Sequence, residues 1–169
     1  MDFGGMIPKA ILFVCLGNIC RSPVAQGTFQ SLLIKHQGGQ IAKKWLIDSA
    51  GTSDYHKNES PDPRSQESTA YHGIDISNQR SRQIELKDFE KFDFIFIMDS
   101  SNYKNVIKLT DNSLYQKKVH FFLDSTFPNE NRQVPDPYFG GKEGFENVFQ
   151  MLNKASEDWI ERWKQEERI

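Results

Sequence analysis

The sequence predicts an α/β fold in which a single domain forms a doubly wound, four-stranded parallel sheet with helices on both faces. Strand-like apolar runs alternate with helix-like segments along the chain, which is typical of parallel sheets with helical crossovers. Residues 92–98 are almost entirely apolar, as expected for a strand that is buried on both faces. A chain of 169 residues also suits one domain with a substantial core.

The individual elements follow from local patterns. The first strand is predicted at residues 10–14, and a helix at residues 23–35 follows it, with Ser22 as N-cap and Pro23 as first helical residue. The other strands are predicted at 45–47, 92–98 and 119–123, and the other helices at 64–72, 86–91, 99–108 and 144–168. Apolar residues give the first and last helices a side that faces the core: Val24, Phe29, Leu32 and Leu33, and Phe145, Val148, Phe149, Leu152, Trp159 and Trp163.

Several polar residues are predicted to meet at one edge of this sheet. In doubly wound sheets, ligands bind beyond the carboxyl ends of the strands. Ser49 and Asp99 follow the second and third predicted strands, and Asp136 lies beyond the fourth. Asp136 belongs to a loop at 124–144 that contains three prolines and three glycines, and loops of that length are usually functional.

Composition excludes several classes of protein. A net charge of −2 provides no dense basic surface, so no nucleic-acid partner is expected. No apolar run approaches the roughly 20 residues that span a bilayer, so stable membrane insertion is not expected either. The N-terminus lacks the pattern of a secretory signal peptide, and the predicted location is therefore cytoplasmic.

The cysteines and histidines argue against a disulfide framework or a metal site. The two cysteines, Cys15 and Cys20, are too few for the framework of a small secreted protein. The four histidines have no ligand-type spacing. We therefore expect neither a metal nor a cofactor.

The most informative segment follows the first predicted strand. Cys15 and Arg21 bracket five residues, and a helix start at Ser22-Pro23 comes next. A tight loop between a strand and a helix can aim backbone N–H groups at one phosphate dianion, above the positive end of the helix. Arg21 can grip two phosphate oxygens with its planar fork. A cysteine at a strand end is often only a small buried side chain, but this context favours a thiolate beneath the phosphorus.

This segment closely resembles the signature of the low-molecular-weight protein tyrosine phosphatases. Further landmarks of that family occur in the family's order: Asp48-Ser49-Ala50-Gly51-Thr52-Ser53, His72-Gly73-Ile74, Met98-Asp99 and Asp136-Pro137-Tyr138. The resemblance runs from residue 10 to the last helix. It therefore implies a phosphatase domain at 10–169, with a phosphate-binding loop after the first strand, and an N-terminal extension at 1–9.

The resemblance assigns roles to three residues. Cys15 would attack the phosphorus of a phosphomonoester and form a phosphocysteine intermediate. Arg21 would bind the phosphate and stabilise the charge of the transition state. Asp136 would protonate the leaving phenolate and then act as base on the hydrolytic water. Asp-Pro is also an ordinary turn signal, so only the landmark order favours the catalytic interpretation of Asp136.

Other residues would shape the site. The phosphate cradle would be formed mainly by backbone groups of Leu16, Gly17, Asn18, Ile19 and Cys20, with the Ser22 hydroxyl donating to the thiolate. The resemblance implies that the Asn18 side chain pins the loop, with Ser49 and His72 as partners. Tyr55 and Tyr138 would form the pocket walls, which phosphoserine is too short to span. Cys20 would be either a small buried side chain or the partner of Cys15 in a protective disulfide.

Proteins that contain phosphotyrosine are thus the expected substrates, and inorganic phosphate is the expected product. Three alternatives remain open from the sequence. An arsenate reductase of similar fold would need cysteines beyond Cys20 to relay electrons. A protein-arginine phosphatase would carry threonine where Ile19 stands. A catalytically dead phosphotyrosine-binding module would have no need of Cys15, Arg21 and Asp136 together.

Overall fold

A computed structural model describes residues 9–169 of the chain. Within these residues, four parallel strands form one sheet in the order β2-β1-β3-β4. The strands are β1 (Ala10–Cys15), β2 (Leu46–Gly51), β3 (Phe94–Ile97) and β4 (Val119–Phe121). The predicted fold class is confirmed. The predicted N-terminal extension lies, except for Lys9, outside the described residues.

Helices cover both faces of the sheet. They are α1 (Arg21–Gln37), α2 (Gly39–Ala42), α3 (Pro63–Tyr71), α4 (Asp88–Lys91), α5 (Ser100–Ile107), α6 (Ser113–Gln116) and α7 (Lys142–Gln165), and a 3₁₀ helix at Phe122–Ser125 follows β4. Helices α1 and α7 pack together on one face, whereas α5 contacts β3 and β4. Within residues 9–169, none of the helices is both long and apolar enough to cross a membrane.

Successive side chains of β1 point to opposite faces of the sheet, so the strand contributes to two layers of the core. Ile11 and Phe13 join the cluster that contains the buried sides of α1 and α7, whereas Leu12 and Val14 join the cluster on the opposite face. The ring of Phe13 packs edge-on against Phe122, with centroids 5.0 Å apart. All ten apolar residues predicted to face the core from the first and last helices are buried. Burial of large apolar side chains on both faces therefore fixes the position of the first strand.

Two boundaries differ from prediction in ways that matter for the site. Strand β2 runs to Gly51, because Asp48 and Ser49 continue the parallel pairing with β1 although their side chains are polar. Helix α1 begins at Arg21 rather than at Pro23, and its N-cap residue is Cys20, with no side-chain cap. The prediction that Ser22 caps this helix is therefore wrong. Its hydroxyl is directed instead to the loop before the helix.

Candidate active site

The loop between β1 and α1 lies at the carboxyl edge of the sheet. Its flanking residues, Cys15 and Arg21, are each about 2% exposed. The carbonyl of Cys15 accepts a hydrogen bond from the amide of Thr52 at 2.9 Å. Within residues 9–169, the backbone amides of residues 17 to 20 donate to no protein acceptor. Free amides at the start of a helix are well placed to bind an anion.

Asn18 fixes the shape of this loop. Its backbone has a φ of 57°, which is the left-handed region that asparagine tolerates better than most residues. Its side-chain amide donates to the hydroxyls of Ser22 at 2.8 Å and Ser49 at 2.9 Å. Its carbonyl oxygen accepts from the backbone amide of Arg82 at 3.0 Å. The predicted pairing of Asn18 with Ser49 is confirmed.

The same contacts orient the hydroxyl of Ser22. Its oxygen accepts from Asn18 and lies 3.1 Å from the Sγ atom of Cys15. The carbonyl of Ala50, at 3.4 Å, is a more distant acceptor for its hydrogen. The hydroxyl can therefore donate to the sulfur while its oxygen accepts from Asn18. The contact joins Ser22 directly to the proposed nucleophile.

Arg21 is buried among carboxylates at the other end of the loop. Its guanidinium contacts Asp99 at 2.6 Å, the carbonyl of Val134 at 2.9 Å and Asp136 at 3.7 Å. Burial by itself lowers the pKa of Arg21. The Cys15 sulfur and the two carboxylates outweigh that effect, so the pKa of Arg21 lies above its ordinary value. The guanidinium is therefore permanently charged beside the thiol.

Asp136 lies on the long loop that precedes α7. Its Oδ1 atom accepts from the backbone amide of Tyr138 at 3.0 Å, and its Oδ2 atom faces Arg21. Its side chain is 42% exposed, so it can exchange protons with water. The structure thus brings the three proposed catalytic residues together at one edge of the sheet, as predicted.

These groups line a cavity of about 430 Å³. Tyr55, His56 and Tyr138 surround its mouth. The centroid of the His56 ring lies 4.9 Å from that of Tyr55 and 6.3 Å from that of Tyr138. The complete lining is Cys15, Leu16, Gly17, Ile19, Cys20, Arg21, Ser53, Tyr55, His56, Asp136, Tyr138 and Phe139. The cavity is mainly apolar above a buried thiol and guanidinium, and therefore suits an aryl phosphate.

Comparison with known proteins agrees with this geometry. The family model for low molecular weight phosphotyrosine protein phosphatase matches residues 10–169. The chain belongs to this family. Members are cysteine-dependent protein tyrosine phosphatases, and the family resemblance read from the sequence is confirmed.

Individual relatives extend over most of this phosphatase. The human low molecular weight phosphotyrosine protein phosphatase is 37% identical over 154 residues, which cover 91% of this chain and 95% of the human protein. The crystal structure of a protein tyrosine phosphatase from Entamoeba histolytica has a TM-score of 0.84 and 34% identity, covering 94% and 98% of the two chains. A drosophila arginine phosphatase has a TM-score of 0.81 and 29% identity, covering 91% and 97%.

Cys20 of this phosphatase is a thiol rather than a thiolate. Burial, followed by the negative charge of Asp62, raises the pKa of Cys20 to about 12. Both cysteines are free and buried, and both line the cavity. A protonated second thiol beside the nucleophile fits either interpretation of Cys20 that the sequence leaves open.

The prediction for His72 is wrong. Its Nε2 atom contacts Glu146 at 2.8 Å, and its ring stacks on Phe149 with centroids 4.0 Å apart. His72 caps the end of α3, which packs against α7, and its side chain therefore joins two helices rather than holding Asn18.

Within residues 9–169, no group of three or more histidine, cysteine or acidic residues could hold a metal ion.

Sequence reasoning missed two residues that support the loop. Arg82 provides the backbone amide for Asn18, while its guanidinium binds Asp48 and the buried Asp88. Gly51 lies directly beneath the loop, where an added Cβ would be 2.7 Å from the carbonyl oxygen of Leu16. No local pattern marks Arg82. Gly51 belongs to a family landmark in the sequence, but the resemblance gives it no role.

Proposed function

We propose that Cys15, Arg21 and Asp136 carry out the hydrolysis of protein phosphotyrosine in this phosphatase. The observation that carries the proposal is their convergence: the thiol, the guanidinium and the half-exposed carboxylate all line one cavity. The loop along that cavity also has free amides, and the buried Ser22 hydroxyl lies next to the sulfur. These groups supply a nucleophile, an anion site and an acid, which is what a phosphomonoester requires.

In the first step, the Cys15 thiolate attacks the phosphorus, and an S–P bond forms while the P–O bond to the tyrosine ring breaks. Protonated Asp136 gives its proton to the departing phenolate oxygen, so tyrosine leaves as a neutral phenol. Arg21 and the amides of residues 17 to 20 hold the three equatorial phosphoryl oxygens.

In the second step, ionised Asp136 takes a proton from water as the water oxygen bonds to phosphorus. The S–P bond breaks, and inorganic phosphate is released. Cys15 departs as a thiolate that accepts the hydrogen bond from Ser22. Asp136 is then protonated again, as it was before the first step.

The cavity walls favour an aromatic substrate. The buried position of Cys15 places the nucleophile below a mouth formed by Tyr55 and Tyr138. A flat ring can make offset or edge contacts with such walls. A phosphoserine side chain is shorter and does not span this depth. Ile19, which lines the cavity, adds apolar surface that favours an aryl group over a charged guanidinium.

The proposal extends to redox control, compartment and domain limits. Cys20, held as a thiol beside Cys15, could close a reversible disulfide after oxidation of the nucleophile. Two free cysteines in a thiol-dependent site suit a reducing compartment such as the cytoplasm. We assign residues 10–169 to the phosphatase domain, with residues 1–9 as an N-terminal extension.

Turnover assays test the assignment. The chain should hydrolyse p-nitrophenyl phosphate and a phosphotyrosine peptide, whereas Cys15→Ser should lose both activities but still bind inorganic phosphate. The serine hydroxyl keeps the shape but is a far weaker nucleophile. Turnover of Cys15→Ser within a few-fold of wild type would contradict the assignment. Preferential hydrolysis of phosphoarginine would favour the arginine phosphatase alternative.

A further inference from the structure

Arg64, in the first turn of α3, is held in one orientation by Asp62. Its Nε atom donates to one carboxylate oxygen at 3.0 Å and a terminal nitrogen donates to the other at 2.9 Å. Such a two-point pair fixes the plane of the guanidinium as well as its position. The Asp62 side chain is about 8% exposed, and the bonds from Arg64 hold the pKa of Asp62 below its ordinary value. The pair is therefore intact at neutral pH.

The oriented guanidinium faces the loop that carries Asp136. Its central carbon lies 5.5 Å from the centroid of the Tyr138 ring and 4.4 Å from that of Phe145. A terminal nitrogen also reaches the carbonyl of Gly140 at 3.4 Å. Tyr138 in turn supplies the backbone amide that binds Asp136. One side chain thus contacts the loop on both sides of Phe139.

The partner of Arg64 is also tied to the phosphate loop. The backbone amide of Asp62 donates to the carbonyl of Ile19 at 2.8 Å. The Asp62–Arg64 pair therefore connects the loop that contains the nucleophile with the loop that contains the acid. A connection of this kind can set the distance between the two reacting groups.

We propose that Arg64 is a positioning residue that holds the Asp136 loop over the phosphate loop and so places the acid for proton transfer. This inference rests on the proposed role of Asp136 as general acid. Arg64 acts through Tyr138 and Gly140, and it does not contact the substrate. Its removal should therefore impair protonation of the leaving group and leave phosphate binding unchanged.

The experiment compares kcat/KM for phenyl phosphate and p-nitrophenyl phosphate. The phenolate is the poorer leaving group and depends more on the acid. Arg64→Met should lower kcat/KM for phenyl phosphate by roughly tenfold, since small misplacements of reacting groups are costly. The value for p-nitrophenyl phosphate should change less than about twofold, which also shows that the variant folds. Arg64→Lys should not restore the rate, because an ammonium lacks the planar fork.

Lys142→Met is the matched control. It breaks an exposed ion pair with Glu67 on the same surface and should behave as wild type on both substrates. A second control combines Arg64→Met with Asp136→Ala. If Arg64 acts through the acid, the double variant should be no slower on phenyl phosphate than Asp136→Ala alone.

Two outcomes would overturn the inference. One is a further tenfold loss in the double variant. The other is a loss of phosphate affinity in Arg64→Met, measured as weaker inhibition by inorganic phosphate, that is as large as the fall in kcat/KM for phenyl phosphate. Arg64 would then act on the phosphate loop. Failure of the proposed function would look different, because Asp136→Ala would then slow both substrates equally whatever the result for Arg64.

Discussion

The Oγ atom of Ser22 lies 3.1 Å from the Sγ atom of Cys15 and accepts a hydrogen bond from the side-chain amide of Asn18. The hydroxyl can accept from Asn18 and donate to the sulfur at the same time. Ser22 therefore connects the residue that shapes the loop with the proposed nucleophile. Its contribution is greatest when the sulfur carries a full negative charge, as it does when phosphocysteine breaks down.

Ser22→Ala should slow breakdown of phosphocysteine more than its formation. Loss of a hydrogen bond to a charged group costs about 1.5–3 kcal/mol, or roughly 10- to 100-fold in rate. Rapid mixing with p-nitrophenyl phosphate should show a burst of p-nitrophenol followed by slow turnover. Ser53→Ala, which removes a hydroxyl that lines the cavity and donates to the carbonyl of Leu16 rather than to the sulfur, is the control and should show no such change. Equal slowing of burst and steady state would mean that Ser22 only supports the loop.

Asp136→Ala should reduce hydrolysis of phenyl phosphate far more than hydrolysis of p-nitrophenyl phosphate. Loss of a general acid costs roughly 10²–10⁴ in rate when the leaving group needs the proton. The p-nitrophenolate ion departs without much protonation and needs the acid less. The ratio of the two kcat/KM values measures this difference. An unchanged ratio would make Asp136 a structural residue.

Mild peroxide should inactivate the enzyme reversibly. Peroxide oxidises the Cys15 thiolate to a sulfenic acid, which condenses with the Cys20 thiol to give a disulfide and water. Bound inorganic phosphate should protect Cys15 by covering it. Cys20→Ser should retain activity but should not recover fully with a thiol reductant, since over-oxidised Cys15 cannot be reduced in that way. Peptide mapping that found only sulfinic or sulfonic Cys15, with Cys20 still reduced, would rule out the disulfide.

Alkylation should distinguish the two thiols before any oxidation. With a pKa raised to about 12 by burial, Cys20 carries very little thiolate at pH 8 and should resist iodoacetamide in the folded protein. We expect Cys15 to be labelled first, and both cysteines to be labelled in urea. The positions of label follow from mass spectrometry of peptides. Labelling of Cys20 at the same rate as Cys15 in the folded state would contradict this expectation.

Ser49 and His72 should respond differently to substitution, although the family resemblance gives them the same role. Ser49→Ala removes an acceptor for Asn18 and should weaken inhibition by inorganic phosphate roughly fivefold, which is equivalent to about 1 kcal/mol. His72→Asn loses the stack on Phe149 and should lower stability by about 1 kcal/mol with unchanged phosphate affinity. Titration with phosphate and thermal unfolding measure the two effects. Weaker phosphate inhibition in His72→Asn would restore its predicted role.

The sequence was informative where local chemistry determines structure. Apolar runs such as residues 92–98 form buried strands because their side chains have no other stable environment, and β3 is found within that run. The Cys15–Arg21 spacing likewise predicted the phosphate loop. The prediction of Ser22 as N-cap fails because the helix begins earlier, at Arg21, without a side-chain cap, and no sequence pattern marks such a start. The support from Arg82 could not be predicted, because the contact with Asn18 is made by a backbone amide that any residue except proline provides.

Gly51 affects how the results of a mutational scan should be interpreted, because it supports the phosphate loop only by leaving space for it. A methyl group at this position would lie 2.7 Å from the oxygen of Leu16 and 3.1 Å from the amide nitrogen of Asn18, so even alanine must displace the phosphate loop. In a saturation scan scored on activity, position 51 should tolerate substitution as poorly as position 15, although it contributes no reactive group. A position that tolerates no substitution can therefore be one that leaves room for the phosphate loop, and not only one that supplies a reactive group.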